Sequence, residues 1–201
     1  MAKKTGTIII VVGLICLISA FGFYLHNQNE SKLAGDSAQK VLEELDAVIE
    51  ENKTESNESN ALLEEETSDE MPTVTIDGYD YIGYVEIPKI GIKLAVMADW
   101  DYDRLKIAPC RNFGSVLSDD LVIAGHNYTS HFGKLDNLIS GDSVIFTDAL
   151  GAVYSYTVEK LDTVSAENVD AVQNSGYDLV LYTCTLSGTE RTAVYCNRVN
   201  F

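Results

Sequence analysis

An uninterrupted apolar run near the N-terminus is the feature that most constrains the fold. Between Thr7 and Leu25 the chain carries no charged residue. At a rise of about 1.5 Å per residue, a helix over this run would cross the roughly 30 Å hydrocarbon core of a membrane. Lys3 and Lys4 precede the run and Glu30 follows it. The positive-inside rule therefore predicts a cytoplasmic N-terminus and an extracellular remainder.

The run divides the chain into regions with different expected roles. A cleaved signal peptide is the alternative to an anchor, with Ala20 as a small residue near a cleavage point, but the run is long for a signal peptide. We therefore predict a cytoplasmic N-terminus (1–6), a transmembrane anchor (7–25), an extracellular helical and acidic stalk (26–75) and a folded domain (76–201).

The predicted stalk has two parts of different composition. Ser37 to Lys53 carries apolar residues at helical spacing, which predicts an amphipathic helix that packs on its own domain or on a neighbour, with a short coiled-coil dimer as the alternative. Glu55 to Thr73 is polar and acidic and cannot bury enough apolar surface to order itself, so it is predicted to be a flexible spacer.

The acidity of the chain excludes one class of partner. The formal net charge is -17 and the isoelectric point is near 4.3. Nucleic-acid binding needs clustered Lys and Arg, which this chain lacks. Twelve Asp or Glu fall between Val41 and Glu70 against the single Lys53, so much of the charge belongs to the stalk.

The segment from Ile76 to Phe201 has the pattern of a mainly β domain. About seven short β-branched and aromatic runs occur without the alternation of strands and helices that a parallel sheet requires, so we expect a closed barrel of seven to eight strands. The predicted strands are Tyr81–Pro88, Lys89–Val96, Leu121–Ala124, Ser143–Thr147, Ala152–Leu161, Asp178–Thr183 and Thr192–Val199. Two short helices are predicted at Phe132–Leu138 and Ala166–Gln173.

The cysteines point to a nucleophile. Cys16 lies in the apolar run, which leaves Cys110, Cys184 and Cys196 in the predicted domain. An odd number of cysteines leaves at least one thiol free, and no pair has the spacing of a structural zinc site or a redox couple. Together with His126 or His131, a free thiol would suit nucleophilic catalysis.

Four ordered segments resemble the sortases, the cysteine transpeptidases of Gram-positive bacteria. Val180-Leu-Tyr-Thr-Cys184, followed by Arg191, is similar to the sortase cysteine motif, although Val180 replaces the usual first Thr. Val122-Ile-Ala-Gly-His-Asn127, Phe132-Gly-Lys-Leu-Asp-Asn-Leu138 and Gly83-Tyr-Val-Glu-Ile-Pro-Lys-Ile90 are similar to other sortase segments. The pattern is class B-like or D-like, and the subclass stays open.

The resemblance implies a fold, a reaction and a set of residues. Cys184 would be the nucleophile that forms a thioester at an LPXTG-like sorting signal, His126 the general acid and base, and Arg191 the electrostatic clamp, with Thr183 assisting in substrate binding. The implied partners are exported proteins with a C-terminal sorting signal and an amine acceptor from the cell wall or a pilin. The pattern implies no cofactor.

Two further predictions concern Arg191 and a cluster of aspartates. A hairpin with its loop at Ser187-Gly188 places Arg191 directly across from Cys184, whereas Arg198 lies seven residues further, on the opposite face. Asp99, Asp101 and Asp103 alternate as calcium ligands can, but Arg104 and Cys110 occupy the positions where an EF-hand needs Gly and Glu. We expect a solvated acidic turn; calcium held by acidic residues of separate loops, as in some sortases, is possible but not indicated.

Other classes of function also fit the anchor and the barrel. A non-catalytic extracellular binding or scaffold domain would need no reactive thiol. A cysteine peptidase acting mainly by hydrolysis would use Cys and His, but papain-like enzymes place the Cys at the start of a helix and ahead of the His. Here His126 precedes Cys184, which closes a predicted strand, so the order favours the transpeptidase.

Overall fold

The computed structural model describes residues 2–58 and 70–199, which form two α-helices and nine β-strands. The helices are α1 (Ala2–Glu58) and α2 (Asp170–Gln173). The strands are β1 (Val74–Ile76), β2 (Tyr79–Ile87), β3 (Ile92–Met97), β4 (Cys110–Phe113), β5 (Leu121–Gly125), β6 (Ser143–Asp148), β7 (Val153–Ser165), β8 (Leu179–Cys184) and β9 (Glu190–Arg198).

The chain forms two compact units, one up to Leu33 and one from Ala34 onward. The first unit contains the apolar run, whose side chains are exposed throughout. Among the described residues, α1 is the one helix long and apolar enough to cross a membrane, judged by length and composition. Exposed Ile, Val, Leu and Phe side chains at this density are what a lipid-facing helix requires.

In the second unit, α1 packs against the barrel along the predicted apolar stripe. Val41, Leu45 and Ile49 are buried in one cluster with Tyr81 and Met97. A half-exposed ion pair joins the same surfaces, with Lys93 Nζ 2.6 Å from an Asp46 carboxylate oxygen. The stripe therefore packs within its own domain. Most of the predicted acidic spacer lies outside the described residues.

Eight strands close into a barrel, as the sequence predicts. The order is β2-β3-β4-β5-β8-β9-β7-β6, and β6 pairs with β2 to complete the circle, while β1 pairs with the first residues of β2. Closure leaves no free edge among these eight strands. The barrel interior is filled by large side chains such as Phe146, Tyr156 and Leu181. The pairings are antiparallel except β3–β4 and β5–β8.

Several predicted elements differ from those observed. Strands β1 and β4 were not predicted, and the strand predicted from Lys89 begins only at Ile92, after a 3₁₀ turn at Pro88–Ile90 that ends at Gly91 with φ 66°. Strand β7 continues to Ser165 because β9 pairs with it as far as Glu190.

Both predicted short helices are wrong in extent. Phe132–Leu138 is a series of turns with one 3₁₀ segment, Leu135–Asn137. At its start, the Phe132 N–H donates a hydrogen bond to the carbonyl of His126, which precedes the segment. Ala166–Gln173 is helical only over α2. Strand β7 extends to Ser165, and the chain turns before α2 begins at Asp170.

Candidate active site

Cys184 is the accessible thiol of the second unit. It is the last residue of β8 and is exposed, whereas Cys110 and Cys196 are completely buried in the barrel. Burial raises the pKa of Cys110 to about 12 and raises that of Cys196 as well. A thiol held in its protonated form is a poor nucleophile. Of the three cysteines considered from sequence, only Cys184 can meet a substrate.

The parallel pairing of β5 and β8 brings His126 to the same edge as Cys184. The last paired residues are Gly125 and Thr183, and His126 and Cys184 are the next residue on each strand. His126 stacks on Tyr128, with ring centroids 3.7 Å apart and planes at 15°. This stack orients the imidazole at the open end of the barrel.

The glycine before His126 allows this turn to close. A Cβ added at Gly125 would lie 2.4 Å from the Phe132 ring, a distance that atoms of this kind do not adopt. Phe132 is fully buried and its N–H donates to the His126 carbonyl at 3.1 Å. Only glycine lets the loop fold back under the imidazole.

The second histidine of the loop is buried beside the first. His131 is completely inaccessible, and its ring lies edge-on to Tyr128 with centroids 5.6 Å apart. Burial lowers the pKa of His131 to about 4; the Ala34 backbone opposes this shift and His126 adds to it. His131 is therefore neutral at physiological pH and supports the loop from inside.

Arg191 lies directly across from Cys184, which confirms the predicted register. The two residues are paired in the β8–β9 ladder, so their Cα atoms are roughly 4.5 to 5.5 Å apart and their side chains leave the same face. The guanidinium donates to the backbone carbonyls of Gly188 at 3.0 Å and Glu190 at 3.1 Å. Both acceptors belong to the exposed β8–β9 hairpin.

Arg198 has different surroundings at the other end of β9. Its guanidinium lies 2.7 Å from an Asp119 carboxylate oxygen and donates to the Val116 carbonyl at 2.9 Å. The same group lies over the Tyr154 ring, 4.8 Å from its centroid. The structure does not bring Arg198 to Cys184.

Thr183 points to the opposite face from Cys184. It is 4% exposed, and its hydroxyl has no hydrogen-bond partner among the described residues. It nevertheless lines the same cavity as Cys184. A buried hydroxyl without a partner costs free energy unless a ligand or water completes it. The Thr183 hydroxyl is thus a buried group without a partner on the residue before the thiol.

Two cavities meet at the Cys184–Arg191 pair. The first, about 360 Å³, contains Cys184 and Thr183 and is bounded by the loop after His126 and by the β8–β9 hairpin. The second, about 220 Å³, contains Arg191 and Tyr182 and is bounded by Trp100 and by α2. Burial raises the pKa of Tyr182 to about 12, which keeps its phenol neutral, although Arg191 opposes the shift.

Sequence reasoning missed the wall of the second cavity. Trp100 and Tyr102 pack edge to face with ring centroids 4.8 Å apart, and Tyr102 is largely exposed. Trp100 is the chain's single tryptophan, and exposed aromatic residues beside a nucleophile are a signal that could have been used. The missed strand β4 follows these residues, and without it their position could not be deduced.

The three aspartates near Trp100 form an acidic turn with internal partners. Asp99 pairs with Arg104 at 3.2 Å, and Asp103 pairs with Lys106 at 2.7 Å. The Asp101 carboxylate accepts from the Asp103 N–H at 2.7 Å. Within residues 2–58 and 70–199, no three His, Cys, Asp or Glu side chains are grouped so as to hold a metal ion.

Comparison with known structures identifies the same fold in several sortases. A sortase D5 transpeptidase of Clostridium perfringens superposes with a TM-score of 0.60 at 22% identity, covering 82% of this chain and 99% of that one. Sortase C1 of Streptococcus agalactiae gives a TM-score of 0.56 at 24% identity, with coverages of 83% and 99%. Sortase C of Clostridium perfringens, solved with the C-terminal cell wall sorting motif, gives 0.54 at 21% identity, with coverages of 92% and 100%.

Sequence comparison agrees with the fold. No curated protein matches the chain by sequence. The family model of the sortase domain matches residues 85–199, more than half of the chain, and includes the His126 segment, the cysteine motif and Arg191. This chain therefore belongs to the sortase family of cysteine transpeptidases.

Proposed function

We propose that this chain is a single-pass membrane enzyme that cleaves an LPXTG-like sorting signal on exported proteins and transfers the acyl product to an amine of the cell wall or of a pilin. The observation that carries the proposal is the register at one edge of the barrel. Cys184 ends β8, His126 follows the parallel strand β5, and Arg191 is paired with Cys184. A nucleophile, a proton carrier and a cation are what acyl transfer through a thioester requires.

The first half-reaction forms the acyl-enzyme. The Cys184 thiol gives its proton to His126, and its sulfur attacks the carbonyl carbon after the threonine-like residue. The C–S bond forms, the peptide C–N bond breaks, and His126 protonates the departing amine. In the second half-reaction the acceptor amine attacks the thioester, the C–N bond forms and the C–S bond breaks. The amine's proton passes to His126, and Cys184 is restored.

Arg191 supports this reaction by its position and its present partners. Its two carbonyl acceptors lie in the exposed hairpin, so substrate carbonyls can replace them without leaving a buried group unpaired. The guanidinium would then hydrogen-bond the developing oxyanion or the substrate backbone. The second cavity, with its Trp100 and Val172 side chains, would hold the acyl part of the sorting signal.

The anchor and the orientation are part of the proposal. The N-terminal run of α1 would cross the cell membrane, with residues 1–6 in the cytoplasm and the barrel outside, where exported substrates pass. Protease added to intact protoplasts should remove the Cys184 domain while the first residues stay protected. Release of the whole chain into the medium would contradict the anchor.

A peptide library with an added amine tests the reaction itself. The full chain in detergent micelles is incubated with LPXTG-like peptides and an amine, and the products are read by mass spectrometry. Peptide joined to amine supports the transpeptidase, whereas free acid in place of the amide would indicate a hydrolytic peptidase. A binding or scaffold domain would give no product at all. Modification of its thiols by a thiol-directed probe would leave its function unchanged.

A further inference from the structure

The cavity that contains Cys184 has an acidic entrance. Asp136 is the single charged side chain among the residues that line it, and it is exposed in the turn between His126 and β6. The other lining groups near the sulfur are neutral, including Asn127, Thr185 and Ser187. The Asp136 carboxylate accepts a weak hydrogen bond from the Asn137 amide at 3.3 Å. The carboxylate is available to a ligand.

The second cavity has the opposite sign. Arg191 is the single charged residue among its lining groups, and its other walls are aromatic, aliphatic or neutral polar. Because Cys184 and Arg191 are directly paired, each cavity contains one residue of the same cross-strand pair. A substrate bound across both would meet a cation on one side and an anion on the other.

We infer that the Asp136 cavity is the subsite for the acceptor amine, with the Asp136 carboxylate attracting the ammonium form of the acceptor. This inference rests on the proposed transpeptidation. A lysine-type amine has a pKa near 10.4 and is almost entirely protonated at neutral pH. An anion at the entrance raises the local concentration of such a cation, which lowers its KM.

The chemistry of the two half-reactions places the leaving and entering amines in the same location. By microscopic reversibility, both nitrogens lie near His126, one receiving its proton and the other giving a proton to it. Asn127, the residue after His126, lines the Asp136 cavity and does not line the cavity of Arg191. The nitrogen side of the reaction therefore faces Asp136.

The test compares a cationic with an uncharged nucleophile. The full chain in detergent micelles is acylated with a peptide that the wild type cleaves, and the thioester is resolved with lysine amide or with hydroxylamine, which is uncharged at pH 7.5. In Asp136→Asn the KM for lysine amide should rise about three- to fivefold, while the KM for hydroxylamine should change less than twofold. The difference should shrink in about 1 M salt, because exposed charges are screened.

Matched variants complete the test. Asp136→Glu keeps the negative charge and should keep most of the preference for lysine amide. Asp136→Lys should raise the KM for lysine amide further than Asp136→Asn does. Asp162→Asn makes the same charge change at an exposed position of β7 outside both cavities and should leave both KM values unchanged.

The outcomes separate this inference from the proposed function. Equal increases in the KM for both nucleophiles in Asp136→Asn, or an unchanged KM for lysine amide, would overturn the acceptor subsite. The thioester of the wild type would still stand. Failure of the wild type to form any Cys184 adduct with the peptide would instead overturn the transpeptidation on which the inference rests.

Discussion

The two ends of β9 carry one arginine each, and their surroundings differ. Arg198 is held by the Asp119 carboxylate, the Val116 carbonyl and the Tyr154 ring, all supplied by the barrel itself. Arg191 lies beside an exposed thiol, and among the described residues its guanidinium bonds to carbonyls of its own hairpin. One arginine completes the structure, and the other has partners that a ligand can replace.

This difference indicates how one strand serves two purposes. A guanidinium with ion-pair, hydrogen-bond and aromatic contacts contributes to stability, and its loss would expose unsatisfied groups. A guanidinium that faces two cavities has its contacts available for binding. Removing groups at the Arg191 end should therefore reduce activity, and removing groups at the Arg198 end should reduce stability.

The largest expected effect is the loss of the Cys184 sulfur. Cys184→Ala should abolish covalent capture of a sorting-signal peptide and reduce turnover by at least about a thousandfold, because no other accessible thiol of the described residues lies at this edge. Intact-mass spectrometry of the trapped thioester measures it. Cys110→Ala and Cys196→Ala, which remove buried thiols, should keep a substantial part of the activity. A thioester found on Cys196 would disprove the assignment.

His126 should behave like Cys184, and its neighbour should not. His126→Ala should abolish turnover, because no other imidazole at this edge is accessible to carry the proton. His131→Ala should retain turnover at neutral pH. Peptide cleavage measured with folding checked by circular dichroism distinguishes the two. Equal losses in both variants would mean that the loop, rather than the imidazole of His126, is what matters.

The next largest effect separates the two arginines. Arg191→Ala should lose about a hundredfold or more in kcat/KM with the fold intact, because a preorganised cation next to the reacting carbonyl is removed. Arg191→Lys should also lose most of the activity, since an ammonium lacks the planar fork of donors. Arg198→Ala should remain near wild type in kcat/KM. A series in which Arg198→Ala is the inactive variant would reverse the comparison.

These expectations show which parts of the site follow from sequence. The pairing of Arg191 with Cys184 could be predicted because both residues belong to one hairpin, whose short loop determines the register. The position of His126 beside Cys184 needed the family resemblance, since β5 and β8 are joined by more than fifty residues.

The two cavity walls could not be predicted in the same way. Trp100 reaches the second cavity through the irregular connection from β3 to β4, a strand of four residues with too little pattern to be recognised. From the sequence alone, Asp136 is recognisable only as part of the Phe132–Leu138 motif, which predicts a helix. The chain instead turns there, and Gly133 permits the turn. A Cβ at this position would lie 2.4 Å from the Asn127 carbonyl oxygen, so a larger residue could not approach so closely.

A smaller effect concerns stability at the catalytic end. Burial lowers the pKa of His131 to about 4, against about 6.5 in the unfolded chain. The folded state therefore binds fewer protons between these values, so the contribution to stability is fully present above about pH 6.5 and is lost as the pH falls toward about 4. The free energy of unfolding should fall by about 2 kcal/mol between pH 6.5 and 5 through this group.

Replacing the imidazole tests this origin. His131→Gln cannot titrate in that range, so its denaturant midpoint should depend less steeply on pH than that of the wild type. Urea unfolding of the full chain in micelles, followed at several pH values, measures the slope. An unchanged slope would assign the acid sensitivity to other groups.

The smallest effect sharpens the comparison at the Arg198 end. The Arg198–Asp119 pair has side chains that are 23% and 48% exposed, so solvent screening limits its coupling to about 1 kcal/mol or less. Arg198→Ala should cost more than this, about 1 to 3 kcal/mol, because it also removes the hydrogen bond to Val116 and the contact with the Tyr154 ring. Asp119→Asn should cost less than 1 kcal/mol, and a double-mutant cycle isolates the pair. Because both residues lie at the far end of β9 from Cys184, kcat/KM should stay unchanged in all three variants. A coupling energy that appears in kcat/KM rather than in the free energy of unfolding would show that the two ends of the strand are not independent.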